Sequence, residues 1–357
     1  MESGWRKITK RVPWVQCLVL ALAIGLVPGM VMAQAPPLDP LTIPKYVTPL
    51  VIPPVMDNTG VDDTYDISVR EFKQQILPGG IWNTINGRLD TFNPTTVWSY
   101  GPTSDETPIV APDPNSQFNY PAYTFETKSN VRVDVRWIND LIDPLTGNAL
   151  PHVLGSVVDQ TLHWANPRMD KCRDGSYRTD CTTDNPVSYD GAVPIVTHVH
   201  GAHVEPESDG YPEAWWLPAA ADVDCAGATT TTDDDYACSG TVYTGGTGND
   251  GYADYSYVQT QPATTLWYHD HSLGMTRLNV YAGPAGFWLV RGRDGFPSDH
   301  DSPVNVLNGL PAALPGPAPV AGQGVLALNI PGNPVRNSIR EIPIVIQDRS
   351  FYPDGSL

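Results

Sequence analysis

The chain has 357 residues, among them 31 Gly and 36 Pro, and this content excludes a coiled coil or helical bundle because neither residue is tolerated in helix interiors. The hydrophobic fraction of 41% is sufficient for a folded core, which excludes a globally disordered chain. With 21 Lys and Arg against 39 Asp and Glu, the net charge is −18, and such a surface repels the phosphates of nucleic acid.

The first 33 residues have the pattern of a secretory signal. Four basic residues precede an apolar stretch over 15–27, and small residues at 31–33 offer a cleavage site before Gln34. The apolar stretch is shorter than the roughly 20 residues that a membrane span needs, so cleavage is favoured over an uncleaved anchor. We expect a protein that is secreted, periplasmic or on the cell surface, with no membrane contact after cleavage.

Residues 34–61 are rich in proline and predict an extended arm on the surface. Beyond the arm, short segments that alternate apolar and polar residues are separated by Gly and Pro turns, a pattern that predicts a β-sandwich or barrel. The strand candidates, in chain order, lie at 64–72, 131–137, 194–204, 264–272, 280–291 and 339–348.

Composition also divides the chain into regions. We expect one sandwich domain over 62–293, a linker over 294–324 that is rich in Pro, Ala and Gly, and the beginning of a second domain over 325–357. The alternative is that residues 325–357 are a C-terminal extension that pairs with the first sheet.

Four cysteines remain once the signal is removed, and in an exported chain this number predicts two disulfides. Three pairings are possible. The local pairing, Cys172–Cys181 and Cys225–Cys238, is the simplest because each pair brackets a polar loop. No CxxC spacing supports a metal site at these positions.

Two His-x-His pairs lie in strand candidates: His198 with His200, and His269 with His271. Alternate side chains of a strand point the same way, so each pair projects two imidazoles from one face, with Cα atoms about 6–7 Å apart. Two such strands side by side would surround one small volume with imidazole, which is a ligand for Zn, Cu, Fe or Ni. A zinc hydrolase is disfavoured because the pairs lie on strands and no HExxH spacing is present.

The segments THVHGAHVEPESDGYPEAWW (197–216) and LWYHDHSLGMTRLNVYAGPAGFWLV (266–290) resemble the two N-terminal copper motifs of multicopper oxidases. The similarity is closest to bacterial spore-coat-type laccases and bilirubin oxidases. Residues 77–94 and 342–357 also resemble that family, the latter its second domain. The resemblance implies an all-β fold, a cupredoxin-like Greek-key β-sandwich over 62–293, with the start of a second cupredoxin-like domain at 325–357.

The same resemblance implies copper as cofactor and a role for each motif residue. His198 would be a ligand of the type 2 copper, and His200, His269 and His271 would be ligands of the type 3 pair. Asp209 matches an acidic residue of the family that handles protons during O2 reduction; the alternative is a simple turn residue of the SDG tripeptide.

Other residues near the motifs are expected to be structural. Asp270 alternates to the strand face opposite its histidine neighbours, which predicts a hydrogen-bond acceptor behind the ligands. Packing roles are expected for Trp215, Trp216 and Trp267. Ordinary polar or surface roles are expected for His152, His163, His203 and His300.

The sequence lacks the HPxHxH and HCHxxxHxxxM patterns that carry the family's type 1 copper site and its other trinuclear ligands. We therefore expect the N-terminal fragment of an exported oxidase that couples one-electron oxidation of phenolic, pyrrolic or metal-ion substrates to reduction of O2 to water. It would supply half of the trinuclear copper ligands, would need the C-terminal cupredoxin domains as partner and would be inactive alone. The alternative is a non-enzymatic, exported copper-binding cupredoxin module.

Overall fold

A computed structural model of the chain describes residues 36–56, 64–103, 118–159, 165–169, 171–172, 174–180, 189–225, 236–244, 250–292 and 342–357. Several sequence predictions lie outside the described residues: the signal (1–33), the linker (294–324), Cys181, His163 and His300.

The described residues form two four-stranded mixed sheets. Their strands are β1 (Thr64–Gln74), β2 (Thr95–Pro102), β3 (Phe125–Lys128), β4 (Val133–Asn139), β5 (Thr197–His200), β6 (Tyr252–Tyr257), β7 (Thr264–Asp270) and β8 (Ala285–Arg291). Sheet A has the order β2-β1-β4-β6, and sheet B has the order β3-β8-β7-β5. The pairs β1–β4 and β3–β8 are parallel and need crossover connections, whereas the other neighbours are antiparallel. These sheets confirm the all-β sandwich expected of a cupredoxin-like domain.

An aromatic core joins the inner faces of the two sheets. Phe125 of β3 stacks on Trp288 of β8 with ring centroids 4.5 Å apart, and its ring also meets Trp137 of β4 at 5.9 Å. Tyr268 of β7 lies 5.5 Å from Trp137 and donates its hydroxyl hydrogen to the carbonyl of Tyr123. Fully buried aromatic rings bury large areas, so contacts of this kind supply much of the attraction between the sheets.

Two short helices interrupt the strands: α1 (Ile81–Asn86) and α2 (Thr276–Ala282). The end of the second helix was predicted as the start of a strand over 280–291. That prediction is wrong for residues 280–282, because Leu278, Asn279 and Ala282 are buried on one side of a helix that is capped by Gly283. Gly283 has φ +145°, and a Cβ there would meet the Trp98 carbonyl oxygen at 1.9 Å. Within the part that the structure describes, no helix is long and apolar enough to cross a membrane.

The C-terminal segment differs from its prediction. None of the described residues 342–357 belongs to a strand, although their apolar and polar residues alternate. Ile344 and Ile346 are exposed, whereas Phe351 and Leu357 pack against Phe72 in a second small core. An alternating pattern makes a strand only where another strand pairs with it, and in the described part none does.

The proline-rich arm is on the surface only in its first part. Its last described residues, Ile52, Val55 and Met56, are buried. The backbone N–H of Met56 donates to the carbonyl of Thr124 at 2.9 Å, and Val55 forms a parallel bridge with the same residue. The expectation of a surface arm is therefore wrong for this end, which the sandwich covers.

One of the two predicted disulfides is present as expected. Cys225 and Cys238 are bonded, with Cα atoms 5.4 Å apart. Cys172 is also disulfide-bonded, and its predicted partner Cys181 lies outside the described residues.

We predict that the double variant Cys225→Ser/Cys238→Ser is less stable than the wild type by roughly 2–3 kcal/mol, because the bond closes a short loop whose freedom returns in the unfolded chain. Urea unfolding followed by tryptophan fluorescence measures the difference. Equal midpoints and slopes for the two proteins would show that the bond does not stabilise the fold.

Candidate metal centre

The two His-x-His pairs lie on neighbouring antiparallel strands at one edge of sheet B. In the register of β5 and β7, His198 is directly opposite His269, and His200 is opposite Trp267. Val199 and Tyr268 point into the core on the inner face, so the imidazoles occupy the outer face of the sheet.

The structure brings all four imidazoles together. His198 is nearest to His271, with ring centroids 4.9 Å apart, and lies 5.4 Å from His200 and 5.7 Å from His269. His269 lies 5.5 Å from His200 and 5.7 Å from His271. The imidazoles differ in their exposure to solvent: His269 is buried, whereas His200 is exposed. The convergence that the sequence predicted is therefore present.

Backbone carbonyls fix the tautomers of three of these rings. The Nδ1 atom of His198 contacts the carbonyl of Asp209, that of His269 lies 2.7 Å from the carbonyl of Asp270, and that of His271 lies 3.1 Å from the carbonyl of Gly210. A carbonyl only accepts, so in each neutral ring Nδ1 carries the hydrogen and Nε2 keeps its lone pair. Metal-binding histidines commonly make such a hydrogen bond through the ring nitrogen that does not bind the metal.

The fourth ring, that of His200, forms a pair of metal-ligand nitrogens with His269. Nδ1 of His200 lies 3.2 Å from Nε2 of His269. Two nitrogens bound to one ion at 2.0–2.1 Å with a tetrahedral angle stand about 3.3 Å apart, so this pair fits one metal ion. Imidazole is a suitable ligand for copper. Among the described residues, however, no group of three His, Cys, Asp or Glu side chains is arranged to hold an ion, so this region offers donor pairs rather than a complete shell.

Burial disfavours the charged form of two of the imidazoles. It lowers the pKa of His269 from 6.5 to about 4, and neighbouring imidazoles act in the same direction. Burial also lowers the pKa of His271. Because a metal competes with protons for these lone pairs, the lowered pKa values leave the nitrogens ready for a metal at pH 7.

Asp209 lies beside the cluster in a tight turn that follows a 3₁₀ helix, Pro206–Ser208. Its Oδ1 atom is 3.4 Å from Nδ1 of His198. The next residue, Gly210, has φ +74°, and a Cβ there would meet the carbonyl oxygen of Thr197 at 2.1 Å. The structure thus places Asp209 both in the predicted SDG turn and next to a candidate ligand, and its proton-handling role stays a prediction.

Asp270 lies on the inner face, fully buried behind the ligands. Its Oδ1 accepts from the N–H of Val196 at 3.1 Å and from the hydroxyl of Ser272 at 2.9 Å. Its Oδ2 accepts from the N–H of Ser272 at 3.1 Å and from the side-chain amide of Asn279 at 2.9 Å. The prediction of a structural acceptor is confirmed. Burial nevertheless raises the pKa of Asp270 to about 6.

His152 is the residue near this site that sequence reasoning missed. It was expected to be an ordinary polar or surface histidine, yet it is buried against the ring of Trp98, with centroids 4.6 Å apart. Its Nε2 lies 3.0 Å from Oδ1 of Asn279, and its Nδ1 accepts from the N–H of Leu154. No local pattern could have found this role, because Asn279 is 127 residues away in sequence.

The tryptophans of the motifs divide into two groups. Trp215 and Trp216 are buried in the core, as the packing prediction required. Trp267 is 40% exposed and stacks on His200 at 5.5 Å and on His269 at 4.1 Å. It therefore covers one side of the imidazole cluster.

Comparison with curated proteins finds relatives that are named laccases, although no protein-family profile matches the chain. A laccase of Bacillus stratosphericus is 27% identical over 264 residues, which cover 74% of this chain and 31% of the laccase. A laccase of Haloferax volcanii is 28% identical and covers 88% of this chain and 36% of its own length. These relatives support assignment of the chain to the multicopper oxidase family.

The family assignment rests on sequence. A solved multicopper oxidase of Campylobacter jejuni covers 73% of this chain and 33% of its own chain, but its TM-score of 0.38 and identity of 14% carry no further argument. The chain spans about a third of the length of the curated relatives that it matches first.

We predict that Gly210→Ala disrupts the centre, whereas Gly87→Ala does not. Both positions have positive φ, but only at Gly210 would the new Cβ meet a backbone oxygen. The substitution must displace the turn whose carbonyls hold Nδ1 of His198 and His271, so Gly210→Ala should lose stability and bind Cu(II) more weakly. Gly87→Ala, with open space around its Cβ, should cost only about 1–2 kcal/mol and leave Cu(II) binding unchanged. Calorimetric titration and thermal unfolding of both variants measure these effects, and equal losses of Cu(II) affinity would contradict the role of the turn.

A second prediction concerns pH. Burial lowers the pKa of His152 from 6.5 to about 4, so between these values the unfolded chain binds a proton that the native protein does not. The contribution of His152 is therefore fully present above pH 6.5 and falls by about 3 kcal/mol as the pH drops to 4.

His152→Gln, which does not titrate, should lose less stability than the wild type over this pH range. Urea unfolding at several pH values measures the two slopes. His203→Gln, at an exposed histidine outside the network, is the matched control for the loss of an imidazole. Identical slopes for the wild type and His152→Gln would be evidence that burial does not keep His152 neutral.

Proposed function

We propose that these residues form one half of a trinuclear copper centre in an exported multicopper oxidase. The observation that carries the proposal is the 3.2 Å approach of His200 Nδ1 to His269 Nε2 within a cluster whose other rings hold free Nε2 lone pairs. Four imidazoles on one strand pair have no evident structural purpose, because their rings lie on the outer face of the sheet.

The family resemblance assigns the ligands. His198 would hold the type 2 copper, and His200, His269 and His271 would hold the type 3 pair. When bound, copper supplies the electron transfer by which phenolic, pyrrolic or metal-ion substrates are oxidised one electron at a time and O2 is reduced to water.

The protein's own groups orient the ligands and handle protons. Carbonyls of Asp209, Asp270 and Gly210 hold three Nδ1–H groups, so each ring presents Nε2 without rearrangement. Trp267 stacks on two rings and limits the access of water from its side. Asp209 would handle protons for O2 reduction, and two observations support this role: its carboxylate lies 3.4 Å from His198, and a third of its side chain is exposed to solvent.

The centre needs donors beyond those described. Four imidazoles shared among three metal ions leave at most two for any ion, which agrees with the lack of a three-donor group among the described residues. We propose that C-terminal cupredoxin domains provide the remaining ligands and the type 1 site. The relatives, about three times as long as the matched part of this chain, support this view.

Export is part of the proposal. The Cys225–Cys238 bond supports it, because disulfides persist in oxidising compartments. The N-terminal signal pattern supports it independently.

A non-enzymatic copper-binding module is the second candidate. The donor pairs favour it, because an incomplete shell binds an ion without the geometry for O2 reduction. Oxygen consumption distinguishes the two candidates, since only the oxidase consumes O2 once the C-terminal domains are attached.

We predict that the 357-residue chain binds Cu(II) weakly and exchangeably and shows no O2 uptake with a phenolic substrate. His269→Ala should weaken binding further, because it removes one member of the closest donor pair. His203→Ala, whose ring bonds with Thr260 outside the cluster, is the control. Calorimetry and an oxygen electrode provide the measurements.

Attached C-terminal domains should restore O2 uptake, and His198→Ala in that longer protein should abolish most of it. Equal Cu(II) binding by the wild type and His269→Ala would contradict the metal site. Steady O2 consumption by the 357 residues alone would contradict the half-site.

A further inference from the structure

A buried chain of hydrogen bonds runs behind the imidazole cluster and links two distant parts of the sequence. His152 contacts Asn279 of α2, and Asn279 contacts Asp270 at the end of β7. All three side chains are buried, and none of them reaches the outer face where the imidazoles lie.

The direction of each hydrogen bond in this chain is determined. Nδ1 of His152 accepts from the N–H of Leu154, so Nε2 of the neutral ring carries the hydrogen and donates to Oδ1 of Asn279. The amide nitrogen of Asn279 then donates to Oδ2 of Asp270 at 2.9 Å and to the carbonyl of Pro194 at 3.1 Å. Every polar atom of the His152 ring and of the Asn279 side chain is thereby paired.

Asp270 connects this chain of hydrogen bonds to the segments that carry the two histidine pairs. Its carboxylate binds the N–H of Val196, two residues before His198, and both the N–H and the hydroxyl of Ser272, one residue after His271. The N–H of His271 also donates to the carbonyl of Val196 at 2.8 Å. The carboxylate therefore connects the segment that leads to His198 with the segment that follows His271, and it supports the backbone pairing of the two strands.

We propose that His152 and Asn279 are positioning residues of the metal centre, which act through Asp270 to hold the two His-x-His pairs at the spacing that a shared metal cluster needs. This inference rests on the proposed function. It identifies a role for two residues that touch neither the imidazoles nor the outer face of the sheet.

Stability alone does not account for such a chain. Burying a histidine and an amide costs free energy that their hydrogen bonds only offset, and apolar side chains of similar size often serve a core equally well. A chain with every partner satisfied does, however, fix one geometry, since it tolerates little displacement of any member. Positioning and stability are therefore separable by substitution.

The experiment compares Asn279→Leu, His152→Phe and His152→Gln with the wild type. Asn279→Leu and His152→Phe keep the approximate volume and remove the hydrogen bonds, whereas Gln at position 152 retains an N–H donor toward Asn279. Cu(II) is titrated into each 357-residue protein at pH 7 and followed by calorimetry and electron paramagnetic resonance.

We expect the Leu and Phe variants to bind Cu(II) roughly 10-fold more weakly, as for the loss of other groups that orient metal ligands, with altered nitrogen hyperfine structure. His152→Gln should stay close to the wild type in both respects. If Asn279→Leu does not fold, the comparison of His152→Phe with His152→Gln decides alone.

A matched control separates geometry from stability. Val69→Ala opens a cavity in β1 of sheet A and should destabilise the protein by an amount on the order of 1–3 kcal/mol without change in Cu(II) binding. Wild-type affinity and spectrum in folded Asn279→Leu and His152→Phe would overturn the inference. So would an equal loss of affinity in Val69→Ala.

A metal-free measurement keeps this inference distinct from the proposed function. In wild-type protein with ¹⁵N-labelled histidine, nuclear magnetic resonance should show hydrogen on Nδ1 of His269 and His271, and His152→Phe should disturb that tautomer. If the wild type binds no Cu(II), the proposed function fails. The positioning role is then tested by the tautomers of His269 and His271 in this spectrum. Unchanged tautomers in His152→Phe would then overturn it.

Discussion

The carboxylate of Asp270 is the interaction on which the candidate centre depends. It is fully buried, no cation pairs with it among the described residues, and it accepts four hydrogen bonds from three residues, Val196, Ser272 and Asn279. Each oxygen has two donors, which uses the acceptor capacity of an ionised carboxylate. These bonds offset its desolvation and hold together two strands of which one, β5, is only four residues long.

The two-residue period of a strand allows the HDH sequence to serve two purposes at once. His269 and His271 point outward to the cluster, while Asp270 between them points inward to the network. A register shift of one residue would exchange these faces and leave the carboxylate in solvent and the imidazoles in the core. The core therefore specifies the register, since Tyr268 must lie among the rings of the inner face.

Features that depend on local periodicity were predictable from the sequence, and those that depend on distant contacts were not. Alternation identified both histidine pairs and the two-sheet sandwich, and the short loop identified Cys225–Cys238. The helical state of Val280 and the lack of a strand in the described C-terminal residues follow from tertiary packing, which overrides alternation. His152 could not be distinguished from other histidines, because its role is defined by a partner 127 residues away.

The outward direction of the imidazoles explains why a preorganised cluster need not bind metal tightly. The carbonyl contacts settle tautomer and ring orientation before any metal arrives, so little ordering cost remains for these donors. Affinity nevertheless grows with the number of donors, and each ion finds at most two here. Donors from a second domain would add their binding energy to the same ions, and the metal would then stabilise the contact between the two halves by mass action. Four imidazoles presented on the outside of one sheet therefore predict weak copper binding by this half and tight binding by a complete centre.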